Sequence, residues 1–409
     1  MRDKLKLIQE SMDRAVKNKE VAGVNLLVIQ DGKEVYYAQS GHSDISANRP
    51  MNRDTIVHLY SQSKPVTAAA AMLLMQDGII DLNEPVGNFI DSFKDQSYVT
   101  PDGKISKLPW DKSVRIVDLL NMTSGLVYPG INTPAECTTT MLFDDAIQRL
   151  KYPYDKPACV EESELKDKHG HKKYQMSTME FAEEIGKLPL QFIPGSFFQY
   201  GTSADVLGAV IEKVSGMKFS EFLKERIFDP LEMKDTDFYV PEEKKSRFSQ
   251  VYEVVNGEFK EFGGDHLIIR HDGNKNAFES GGAGLFSTLD DYSHFGQMLL
   301  NGGTYNGKEI LTPETVRFMT CSAVMEGPQH AFDNWHGLEG HTYSNLMRIL
   351  VSPEKALIIG NKGEYGWDGW LGAYFMNDPA SKTTLLMMTQ MRDYGTGYLT
   401  RRLRNIVMS

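Results

Sequence analysis

Segments rich in β-branched and aromatic residues stand near both ends of this chain, and helical periods fill the long stretch between them. Any sheet they make must therefore be closed by strands hundreds of residues apart. At the N-terminal end AGVNLLVIQ (22–30) and KEVYYAQSG (33–41) flank Asp31-Gly32, the signal for a tight hairpin turn. At the other end LMRILVS (346–352), ALIIGN (356–361), LGAYFMND (371–378) and TTLLMMTQ (383–390) read as strands, followed by a basic helix from about residue 396. Between them SVRIVDLLNMTSG, TMEFAEEIGKL, SADVLGAVIEKVSG and FSEFLKERIF carry apolar residues at i, i+3, i+4 spacing. The pattern predicts an α+β fold: an antiparallel sheet built from both termini, flanked by helices, with an inserted, mostly helical subdomain. The 409 residues then form one unit, with an α/β half over about 1–62 and 265–409, a helical half over about 63–264, and an elaborated surface loop at 129–175.

The acidic balance, 44 Lys+Arg against 55 Asp+Glu for a formal charge of −11, lacks the electrostatic footprint of a protein that binds nucleic acid or an anionic membrane. Cys137, Cys159 and Cys321 are odd in number and widely spread, which fits reduced thiols and a cytoplasmic setting better than a disulfide framework. The opening residues show no signal-peptide core, and the longest apolar run, Ala68–Met75, is far short of the ~20 residues a bilayer needs. A small-molecule substrate is the expected partner, and the oligomeric state is left open.

Several catalytic patterns fail. The nearest approach to a G-x-S-x-G elbow, Gly201-Thr202-Ser203-Ala204-Asp205, lacks the final glycine and a preceding buried strand. His169-Gly170-His171 has metal-like spacing but no third ligand in register and reads as a solvated basic loop, so no metal and no cofactor are expected. No phosphate-cradling G-x-x-x-x-G-K-[ST] occurs.

Ser-x-x-Lys is more informative, because on a helix the two side chains share a face and the amine can reach the hydroxyl. It occurs at Ser61/Lys64, Ser163/Lys166, Ser215/Lys218 and Ser352/Lys355. Only Ser61 follows a β-run (TIVHLYS, 55–61) and opens an apolar helix, KPVTAAAAMLLMQDG, where unpaired backbone N–H groups favour an oxyanion. A lysine at that positive helix end opposes the dipole at ~0.3–1 kcal/mol, a cost that a purely structural residue has no reason to carry. For a phenolic proton relay two tyrosines compete: Tyr343 in Tyr-Ser-Asn, and Tyr200 in Tyr-Gly-Thr. Position favours Tyr200, which closes a Pro-Gly loop just before a helix.

Six blocks in order, SQSKPVTAAAAMLLMQDGIIDLNEPV, LLNMTSGL, PLQFIPGSFFQYGTSADVLGAVIEKVSG, FLKERIFDPLEMKDTDF, ESGGAGLFSTLDDYSHFGQMLLNGG and GWDGWLGAYFMNDP, resemble the serine β-lactamase and penicillin-binding-protein-like family over about residues 10–395. The likeness is greatest to class C-type β-lactamases and the carboxylesterases that share their fold. It implies that Ser61 is the acylated nucleophile, Lys64 its activating amine and Tyr200 the proton relay. The family's third motif, a Lys/His-Thr-Gly-like turn on the innermost strand, aligns with Trp367-Asp368-Gly369, and the implied oxyanion hole is the backbone N–H groups of Ser61 and Trp370. Gly369 would let substrate approach that strand closely.

The departures bear on substrate. Where β-lactamases of this family offer a cation and a hydroxyl to a substrate carboxylate, this chain has an indole and a carboxylate; Asp368, if it faces the cleft rather than pointing away to cap a turn, would repel a penicillin by roughly 1–4 kcal/mol at ~4 Å. Thr202 replaces an Asn and can make only part of its hydrogen bonds. Tyr128, Phe197, Phe198, Trp367 and Trp370 are candidates for an apolar acyl pocket, and the 129–175 insertion, entering beside the cleft, is expected to shape its mouth. The reading is a serine hydrolase acting on small uncharged esters. The same site also allows a β-lactamase or D-amino-acid peptidase, and the fold allows a non-catalytic penicillin-binding or sensor protein.

Overall fold

The computed structural model describes residues 3–109, 111–154, 161–166, 170, 172–321 and 326–409. Cys159, His169 and His171 lie outside the described residues. The hairpin forms as the sequence indicates: β1 (Gly23–Gln30) and β2 (Lys33–Asp44) join through Asp31 and Gly32, whose φ angles of 50° and 72° suit the right-handed twist of the flanking strands. With β3 (Arg49–Pro50) they meet five strands from the far end of the chain, β4 (His341–Ser344), β5 (Met347–Leu350), β6 (Tyr365–Asp368), β7 (Tyr374–Asp378) and β8 (Thr383–Met388). The order across the sheet is β4-β5-β6-β7-β8-β1-β2-β3, with every pairing antiparallel. Asn25 stands opposite Met388 where the two ends of the chain join.

Strand alternation then builds two cores from one sheet. Val24, Leu26 and Val28 of β1, with Leu385 and Met387 of β8, pack against the helices Lys4–Lys17 and Tyr398–Met408. The intervening Leu27, Leu386 and Met388 face the opposite way, into the large core shared with the helical half. At the centre of that half runs the helix Lys64–Gln76, in which every residue from Lys64 to Leu74 is buried. Apart from Lys64, Thr67 and Gln76 its residues are apolar, on every face, as suits a helix surrounded by protein.

Two local expectations differ from the structure. Part of the stretch read as a surface loop is a helix, Pro134–Arg149, started by Thr133, whose side chain accepts from the Glu136 N–H at 3.2 Å, and by Pro134 in the first turn. ALIIGN is not a strand: Pro353 begins a short helical turn, Leu357 takes a left-handed φ of 53°, and Leu357 and Ile359 are exposed. Among the described residues no helix is long and apolar enough to cross a membrane.

Candidate active site

A short strand, Val57–His58, pairs with Phe286–Ser287 and delivers the chain into one 3-10 turn, Tyr60–Ser63, directly ahead of the buried central helix. Tyr60 holds a φ of 48°, uncommon for a bulky residue and stable only where the surroundings over-determine it. Its hydroxyl bonds His271 Nε2 at 2.8 Å and its ring packs against Trp370 at 5.0 Å. Ser61, the next residue, is partly exposed between the buried Tyr60 and Gln62.

Lys64 follows one turn later and is fully buried because the helix that carries it is the central one. Its ammonium group has three donors and three acceptors: Ser61 Oγ at 3.2 Å, Tyr128 Oη at 3.1 Å and the Gly282 carbonyl at 2.8 Å. None of these is a carboxylate. Burial therefore pulls the Lys64 pKa down to about 7, with the more distant Asp205 and Asp368 opposing the fall. The amine thus titrates near neutral pH, where it can accept a proton from Ser61 and return it.

Tyr128 and Tyr200 sit edge to face, 5.7 Å between centroids, because their loops are tied together. The Gln199 N–H bonds the Met122 carbonyl at 2.9 Å, and a side chain at Gly201 would come within 2.2 Å of the Leu126 carbonyl. The Lys64 Nζ lies 4.5 Å from the Tyr200 ring centroid. The Tyr200 hydroxyl accepts the Trp367 indole N–H at 3.0 Å. Burial raises the Tyr200 pKa, against hydrogen bonding toward Ser61 and Trp367, so this phenol keeps its proton and serves as a donor.

The third motif lies at the end of β6. The Gly369 carbonyl takes the Gly372 N–H at 2.9 Å, and since N–H and C=O point oppositely across a trans peptide, the Trp370 N–H turns the other way. Among the described residues no backbone carbonyl takes the N–H of Trp370 or of Ser61. The two segments adjoin, for a side chain at Gly369 would come within 2.1 Å of the Leu59 carbonyl. Gly369 is therefore needed for contact with the segment that leads into the Ser61 turn.

Other expectations are also revised. Trp367, expected against substrate, is 2% exposed and serves Tyr200 instead. Thr202 is buried with its hydroxyl unpartnered among the described residues, and does not reach the lysine. Tyr128, expected in an acyl pocket, holds the Lys64 amine. Asp368 is not an isolated anion: its carboxylate pairs with Arg348 at 3.2 Å, and Arg348 also bonds the Phe375 carbonyl at 3.3 Å. Phe198 packs inward on Phe332 and Tyr343, while Phe197 is exposed. Tyr343 is buried edge-on to Trp367 at 5.1 Å, a packing residue. Sequence reading missed Arg348, Gly282 and Trp335, the last of which lies 4.9 Å from the Tyr200 ring centroid.

The family model described as Beta-lactamase matches residues 6–406. The chain belongs to the Beta-lactamase family. Among relatives of this Beta-lactamase family member, esterase EstB of Burkholderia gladioli is 25% identical, over 97% of this chain and 93% of EstB. A putative D-alanyl-D-alanine carboxypeptidase of Escherichia coli K12 is 26% identical, over 92% of this chain and 81% of its own. The solved structure of EstCE1, a hydrolase with promiscuous acyltransferase activity, superimposes with a TM-score of 0.78 at 22% identity, covering 99% of this chain and 98% of that one. The α+β fold with its sheet built from both ends is that of this family, and the protein is a serine hydrolase.

Proposed function

We propose that this protein is an esterase that hydrolyses small, uncharged carboxylic esters through an acyl-enzyme on Ser61. The observation that carries the reading is the buried Lys64 amine, hydrogen-bonded to Ser61 Oγ at 3.2 Å and brought by burial to a pKa of about 7. The free amine takes the Ser61 proton as Oγ bonds to the ester carbonyl carbon. The N–H groups of Ser61 and Trp370 hold the resulting oxyanion. On collapse the bond to the alcohol oxygen breaks; that oxygen takes the Tyr200 proton, and Tyr200 recovers one from the Lys64 ammonium. Water then repeats the sequence on the acyl-enzyme and releases the acid.

The preference for an uncharged ester rests on what the third motif can offer. Its first residue is an indole whose N–H is committed to Tyr200, and the neighbouring guanidinium of Arg348 is committed to Asp368. A substrate carboxylate would find no spare cation there. A panel of p-nitrophenyl esters, nitrocefin and D-alanine p-nitroanilide tests this: p-nitrophenyl butyrate should be turned over far faster than the other two, and Ser61→Ala should abolish turnover with the fold intact. Nitrocefin hydrolysis rivalling the ester rate would refute the ester preference. Failure of a fluorophosphonate to label Ser61 would favour a non-catalytic binding protein.

A further inference from the structure

Asp205 lies in the first turn of the helix Ser203–Ser215, five residues beyond Tyr200, and is 3% exposed. Its Oδ1 accepts from Ser280 Oγ at 2.5 Å and from the Gly282 N–H at 3.0 Å. The same Gly282 gives its carbonyl to the Lys64 amine at 2.8 Å. One residue is thus gripped from both sides, by the carboxylate on its nitrogen and the amine on its oxygen. The turn is pressed between two helices: side chains at Gly281 and Gly282 would come within 2.3 Å of the Ala204 carbonyl and 3.0 Å of Asp205 Oδ2, and Thr67 Oγ1 holds the Gly281 carbonyl at 2.7 Å.

Among the described residues Asp205 has no ion-pair partner. An asparagine carbonyl could accept the same two hydrogen bonds without the cost of burying a charge. Burial raises the Asp205 pKa, while the Ser280 hydroxyl, the nearby Lys64 and the Gly282 N–H oppose the rise and favour the anion. A charge held at that cost has a use, and the cation placed to feel it is Lys64. We propose that Asp205 is a positioning residue for the reaction: through Gly282 it fixes the Lys64 amine against Ser61, and its unmatched charge sets how readily that amine gives and takes a proton. This rests on the reading that Lys64 is the proton acceptor. The other groups facing Lys64 are Ser61 on its own element, Tyr128 and Tyr200 from the two loops, and Asp368 from β6. Asp368 is offset by Arg348, which leaves Asp205 as the uncompensated anion.

The test is the pH dependence of kcat/KM for p-nitrophenyl butyrate in wild type, Asp205→Asn and Ser280→Ala, with thermal melts to establish folding. Removing the anion disfavours the ammonium, so Asp205→Asn should move the acid limb down by about one pH unit and lower the high-pH rate several-fold, the amine being a weaker base. Ser280→Ala removes a donor that keeps the carboxylate ionised, and should move the limb the same way by less. If Asp205→Asn does not fold, Ser280→Ala decides alone. A limb that stays at the wild-type pH in the folded variants overturns the role of Asp205 while leaving the esterase reading in place. A wild-type enzyme with no Ser61-dependent turnover overturns both.

Discussion

Two basic side chains lie at the heart of this molecule, and their surroundings differ. Arg404, on the helix Tyr398–Met408, is 2% exposed and meets Glu364 through two nitrogens, with a third hydrogen bond to the Ile359 carbonyl at 2.5 Å. Burial pushes the Glu364 carboxyl up and the guanidinium opposes it. Lys64 is as deeply buried, yet its partners are a hydroxyl, a phenol and a peptide carbonyl. A buried charge answered by an opposite charge fastens one element to another; a buried amine answered only by neutral groups is left able to lose its proton. The first arrangement is architecture and the second is chemistry.

The largest expected effects exchange those roles. Lys64→Met should lower kcat/KM for p-nitrophenyl butyrate by about a thousandfold or more in a protein that still unfolds cooperatively, because no buried cation is left without its partner. Glu364→Gln should do the reverse, destabilising the fold by about 3 kcal/mol or more in denaturant titration while activity at low denaturant stays within a few-fold. A large activity loss in a folded Glu364→Gln would break the comparison.

A second effect is read from pH. Activity requires the free amine, so kcat/KM should fall about tenfold per unit below the Lys64 pKa of about 7. Stability has the same sign over a different window. The folded pKa lies below the ordinary 10.5, so the unfolded chain binds more protons between about 7 and 10.5. The Lys64 contribution to stability is then fully present above the upper value and lost as pH falls to the lower one. Denaturant titrations of wild type and Lys64→Met across that range should diverge accordingly. The smallest effect on activity is at Trp367: Trp367→Phe removes the N–H that steadies Tyr200 and should cost about tenfold in kcat, with a lowered melting temperature because the smaller ring leaves a cavity among Tyr200, Tyr343 and Trp335.

The legible parts of this molecule were the local ones. Ser61 and Lys64 stand three residues apart at a strand-to-helix junction, and Tyr200 lies beside a helix start, so local context together with the family resemblance points to them. The bond between Trp367 and Tyr200 spans 167 residues, that between Lys64 and Gly282 spans 218, and no period or motif encodes either. The pairing of Asp368 with Arg348 depends on the register of β5 against β6, which places Arg348 beside Gly366, and a residue read without its neighbour strand looks like a bare anion. The helix Pro134–Arg149 was hidden by its Thr-rich, weakly amphipathic sequence, although Thr133-Pro134-Ala135-Glu136 carried a usable start signal. ALIIGN misled for the opposite reason, since an apolar run with Pro353 just ahead of it bends rather than extends.

The pairing of β1 with β8 also bears on how the molecule is made. Val28 of β1 hydrogen-bonds into a ladder whose other member, Leu385, is translated roughly 350 residues later. At ~5–20 residues per second the nascent hairpin waits on the order of 20–70 s with its apolar edge unpaired. During that interval the chain is an open sheet edge seeking a strand, and a truncated product would never satisfy it.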